Sequence, residues 1–133
     1  MADLRRLDEA RQWLQYAADD LETAEMLIAV APAKIRQSLF AAQQAAEKAL
    51  KAFLIHEGQS YPLTHNLLLL ANVCSELDES LRAIIEPALP LTDFAVRFRY
   101  PGAAIEEIEV SDARCWVGAA HRVLAAVRQR MAG

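Results

Sequence analysis

At 133 residues the chain has the length of one domain, and its 54% hydrophobic content can bury a core without disulfide or metal staples. A net charge of −4 excludes the broad basic surplus of a general nucleic-acid binder, so any RNA contact must come from a local basic cluster. No secretory signal opens the chain, and its most apolar run, Leu67 to Ala71, is far shorter than the ~20 residues that span a bilayer; a cytoplasmic protein without membrane association is expected.

Period-two alternation is absent and strong helix formers dominate, so the expectation is an all-α, up-and-down bundle of four to five helices in one domain, 1–133. The first helix is predicted over 8–29, capped by Asp3 or Asp8, with Leu14, Ala17, Leu21, Ala24 and Ile28 as its apolar stripe. Asp19, Glu22 and Glu25 fall on its solvated face, and Pro32 ends it. The second helix is predicted over 33–57, with Ile35, Leu39, Ala42, Ala46, Leu50 and Phe53 in one stripe and Gly58 as its stop. A second edge, Phe40, Gln44, Glu47 and Leu54, predicts burial on two sides, one of them against a partner; a homodimer is expected.

Thr64 is the expected N-cap of a third helix over 65–76 that buries Leu68, Leu69 and Val73. Asp78 can cap a fourth, carrying Leu81, Ile84, Ile85 and Ala88, with a kink or break at Pro87 and Pro90 and a further turn or two over 91–98. Tyr100-Pro101-Gly102 must leave the helix. Ser111 is the expected cap of a last helix over 112–131, buried through Ala113, Trp116, Val117, Ala120, Leu124 and Val127. Cys74 and Cys115 lie in separate helical stretches, and His56, His65 and His121 are scattered; two free thiols and no metal site are expected.

Several residues are candidates for ligand binding. Lys48 and Lys51 share a helix face and can hold a phosphate as point charges, or form a solvated face with Glu47 as the partner of Lys51. His65, at the start of the third helix, can donate to an anion or hold its own loop. Arg97, Arg99 and Tyr100 combine two guanidinium forks that match phosphate with a ring that can stack on a base; alternatively Arg99 pairs with a helix acid. Arg114 and His121 form an R-x6-H spacing, but seven residues on one helix separate them by about 10 Å along the axis, with Trp116, Val117 and Ala120 between them.

Three segments in order resemble the HEPN family of small helical proteins. They are Trp13-Leu14 with Asp20-Leu21 and Ala24; the run Phe40 to Ala52 (FAAQQAAEKALKA), followed by His65-Asn66-Leu67; and Arg99-Tyr100-Pro101. The resemblance runs from about residue 10 to residue 130. It implies a bundle of four or five helices, usually a homodimer, often encoded with or fused to a minimal nucleotidyltransferase. Some members bind nucleotides; others are metal-independent ribonucleases, often toxins, that use an R-x(4–6)-H motif at the dimer cleft. This chain departs from many relatives where Ala95 replaces a second tyrosine, Gly102 replaces an acid, and Arg97 is an added charge. The resulting expectation is a binding module for a nucleotide-like anion or a nucleotidyltransferase partner, without a cofactor and as a possible toxin–antitoxin component. The alternatives are a metal-independent endoribonuclease acting on RNA and a purely structural dimerisation domain.

Overall fold

The computed structural model describes residues 3–96, 101 and 107–132. Among the described residues it is an all-α, up-and-down bundle of five helical segments, one of them broken into three short pieces, with no strand. Helix α1 spans Leu4–Ala29 and α2 spans Ile35–His56. Helix α3 spans Leu67–Leu77; a bent path follows, made of α4 (Leu81–Ile85), a 3₁₀ stretch (Glu86–Leu91) and α5 (Thr92–Val96); α6 (Val110–Ala132) closes the bundle.

Helices α1 and α2 form the central antiparallel pair, as the short link between them requires. Their register is visible in three cross-links: Ser38 Oγ donates to the Ala24 carbonyl (2.8 Å), Lys48 meets Asp20, and Lys51 lies over Trp13. Helix α6 packs across both. The pattern predicted for α1 is observed, since Ala17, Leu21, Ala24 and Ile28 are buried and Asp19, Glu22 and Glu25 are exposed. Asp3 rather than Asp8 is the cap: its carboxylate accepts from the Arg5 amide, which starts the helix one turn early.

Gly58 ends α2 as expected. It adopts φ +77°, and the Gly58 and Gln59 amides donate to the Ile55 and Leu54 carbonyls. A Cβ there would also come within 2.9 Å of the Arg6 guanidinium. Pro87 and Pro90 convert the predicted break into the 3₁₀ stretch, where a tighter helix accommodates the missing amide donors.

Three expectations are corrected. The cap of α3 is Asn66, whose side chain accepts from the Leu68 amide; Thr64 instead accepts from the Asn66 amide and shapes the turn before it. With that start, α3 buries Leu67, Leu70, Ala71 and Cys74, leaving Leu68 and Leu69 nearly half exposed. Four consecutive leucines carry no phase of their own, so the cap and the packing against α2 select it. Helix α6 begins at Val110, which places Ser111 inside its first turn. Finally, the second edge of α2 is largely covered within the chain: Glu47 and Leu54 are buried, and only Phe40 and Gln44 remain part-exposed, beside a groove of about 400 Å³ that Asp20 and Arg36 also line.

Candidate functional site

Along α2 the polar residues Gln43, Glu47 and Lys51 recur every four positions, so they share one face. That face is buried among the alanines of the helix: Glu47 is 3% exposed and Lys51 7%. Such groups stay ionised out of water only when paired and hydrogen-bonded. Here they are. Lys51 Nζ donates to Glu47 Oε2 at 2.9 Å, and His65 Nδ1 lies 2.8 Å from Glu47 Oε1. Gln43 Nε2 donates both to Glu47 Oε1 (3.1 Å) and to the His65 carbonyl (3.0 Å), and Gln44 donates to Gln43 Oε1. Burial pushes the Glu47 carboxyl up, but the bonds from Lys51, His65 and Gln43 outweigh it and hold the group below the ordinary carboxylate range.

An aromatic wall completes the site. Trp13 of α1 and Tyr61 of the α2–α3 loop meet edge to face at 5.6 Å, and the Lys51 ammonium lies 5.2 Å from the Tyr61 ring centre and 5.8 Å from that of Trp13, within cation–π range. Both rings are half-buried. The His65 side chain is 58% exposed although its Nδ1 edge is engaged by Glu47. The buried carboxylate therefore fixes the imidazole while the rest of the ring faces solvent.

The structure brings Lys51 and His65 together through Glu47. Lys48 lies on the neighbouring face of α2 and pairs with Asp20 of α1 at 2.6 Å, part-buried. Each lysine thus already has a carboxylate partner. His65 precedes α3 by two residues, so it is held by Glu47 rather than lying at the helix's free amides. Arg97, Arg99 and Tyr100 lie outside the described residues. Arg114 and His121 are both exposed on α6, with Val117 and Ala120 buried between them. Phe94 stacks at a tilt on Trp116, their ring centres 5.9 Å apart. Both cysteines are free. Burial pushes the Cys74 thiol up to about 12, which makes it an inert core group. No cluster of three potential metal ligands exists among the described residues, and no helix among them is long and apolar enough to cross a membrane.

Gln43, Trp13 and Tyr61 are the members that reading by residue type alone passes over, and Glu47 is visible there only as a surface partner of Lys51. The available signal was the Gln43–Glu47–Lys51 stripe, a polar line at helical spacing inside an otherwise alanine- and leucine-rich helix.

The HEPN domain model matches residues 10–130. The chain belongs to the HEPN family. TT1696 from Thermus thermophilus, known from its crystal structure, is 30% identical to this HEPN chain, with 90% of this chain and 96% of that one aligned at a TM-score of 0.72. No curated protein matches. The family match spans the Glu47 network, from Trp13 through α2 to His65, as well as α6.

Proposed function

We propose that this HEPN chain is a homodimeric binding module for a nucleotide-like anion, acting with a nucleotidyltransferase partner or as one part of a toxin–antitoxin pair. One observation carries the reading: an exposed imidazole, His65, oriented by a buried carboxylate beside a half-exposed Trp13–Tyr61 wall. With Nδ1–H given to Glu47, the protonated imidazolium donates from Nε2 to a phosphate oxygen, and an aromatic face gives a base a stacking surface worth roughly 1–3 kcal/mol. Lys51 adds positive charge behind the rings. Arg97, Arg99 and Tyr100 are proposed to contribute to the same ligand; the short chain that contains them follows α5.

The test uses Trp13 fluorescence in a Trp116→Phe background, titrating adenosine and guanosine mono-, di- and triphosphates. Saturable quenching that is lost in His65→Ala is expected. No saturable signal from any of these nucleotides would refute the binding module. Light scattering that finds only monomer at tens of micromolar would refute the homodimer.

The ribonuclease alternative has one observation in its favour: Arg114 and His121 are both solvent-exposed on one stripe of α6, where a second copy could bring mates to them. RNA cleavage in EDTA that disappears in His121→Ala would establish it over the binding reading.

A further inference from the structure

On the far side of α2 from Glu47, the C-terminal end of that helix meets the N-terminal half of α1 and the last turns of α6. A pocket of about 310 Å³ opens there, lined by Leu7, Arg11 and Leu14 of α1, His56 of α2, and Arg128 and Met131 of α6. The three basic side chains come from three different helices, so no local periodicity produces their meeting; the tertiary packing does. Glu47 and His56 are nine residues apart, which turns them to opposite faces of α2 and separates this pocket from the Glu47 network.

The donors in this pocket are underused. The His56 Nδ1 is shut off from solvent and has no hydrogen-bond partner. A buried polar nitrogen left this way costs free energy, which is recovered only when the ring turns that edge into the pocket to meet a ligand. Arg128 is exposed and makes no hydrogen bond or ion pair with the described residues. Arg11 touches Asp8 through a single nitrogen at 3.3 Å, with the two side chains 72% and 69% exposed. A contact so solvated is weak and leaves the rest of the guanidinium fork open. Two guanidinium forks with an imidazole match the oxygens of a phosphate or carboxylate, and Leu7, Leu14 and Met131 add an apolar surface beside them. The volume lies at the small end of ligand pockets.

We propose that this pocket binds a small organic anion, an oxyanion head carried on a compact apolar group. The apolar residues take the tail and Arg11, Arg128 and His56 take the head. Asp8, the solvated partner of Arg11, releases that nitrogen when the anion enters. The site is independent of the Glu47 network, and a nucleotide bound at His65 would not compete with it.

The test is a calorimetric and NMR titration of the full chain with hexyl phosphate, with inorganic phosphate and hexanol as controls. Hexyl phosphate is expected to bind at least about tenfold more tightly than either control and to shift the His56 imidazole signals while leaving those of His65 and His121 in place. Arg128→Gln should weaken it about tenfold or more, and Arg11→Gln with Arg128→Gln should abolish it. Arg122→Gln removes a charge from the same helix outside the pocket and should leave the affinity unchanged. Equal losses in Arg122→Gln and Arg128→Gln would reduce the effect to general charge attraction and overturn the proposal. So would hexyl phosphate binding that leaves the His56 signals unmoved, or no binding at millimolar concentration.

Discussion

Two ion pairs, one inside α2 and one at the turn before α4, use the same chemistry in different solvent. In the middle of α2, Glu47 and Lys51 are 4% and 8% exposed at their side chains, and His65 and Gln43 both bind the carboxylate oxygen that Lys51 leaves open. At the turn before α4, Arg130 of α6 donates to Asp78 at 2.6 Å, reaches Ser80 Oγ at 2.8 Å and the Ala126 carbonyl at 3.0 Å, and the two side chains keep 21% and 30% of their exposure. The first pair lies four residues apart on one helix and tertiary packing buries it. The second joins residues 52 apart and pins the C-terminal helix to the turn that opens the bent segment. A buried pair is costly to break because the surviving charge has nowhere to go; a pair near water loses little because solvent takes over. Sequence separation therefore says little about what each pair does for stability.

Breaking the buried pair from one side should have the largest effect. Glu47→Ala leaves the Lys51 ammonium buried without its carboxylate and should destabilise the fold by about 3–5 kcal/mol in urea or thermal melts. The double change Glu47→Leu with Lys51→Met should recover most of that loss, because it removes both charges and keeps the volume. A double variant as unstable as Glu47→Ala would show that the cost lies in shape rather than in charge.

Acid sharpens the contrast. Glu47 titrates below its ordinary value in the folded chain, so in the acid range the unfolded chain binds the proton more readily. Its contribution is complete above the unfolded carboxylate value and is lost as pH falls through the lower, folded one. Asp78 is also held low, first by the Ser80 hydroxyl and then by Arg130, and acts in the same direction. Stability measured from neutral pH down through the carboxylate range should fall, and Glu47→Gln should flatten that fall more than Asp78→Asn does.

The smallest effect is expected at the partly exposed pair. Arg130→Ala should cost at most about 1 kcal/mol, and raised salt should shrink the difference from the parent chain, since partly exposed charges are screened. A loss as large as that of Glu47→Ala would mean that the Arg130 clamp, and not the α2 network, anchors the bundle.

Much of the fold was legible from residue order. The apolar stripes of α1, α2 and α6, the stop at Gly58 and the disturbance at Pro87 and Pro90 all follow from local rules, because helical periodicity, a left-handed glycine and a missing amide act within a few residues. The phase of α3 was not legible, since Leu67 to Leu70 are alike and Asn66 and Thr64 are both competent caps. At the candidate site, Lys51 and His65 were visible as residue types and Glu47 as a possible partner at i+4, but nothing local says whether that face meets water.

What the sequence by itself determined is the class of structure and the membership in HEPN: helix-forming composition, apolar spacing and the ordered segments from Trp13 to Pro101 act locally or by pattern, and need no knowledge of neighbours. Only the tertiary structure decided which charges are buried. It laid α1 with Trp13 and the loop with Tyr61 and His65 over α2, which turned a surface-like glutamate–lysine pair into a closed network, and it brought Arg11, His56 and Arg128 from three helices to one pocket. The physical reason is that burial and electrostatic environment belong to the surroundings of a group, and those surroundings are supplied by residues far away in the chain.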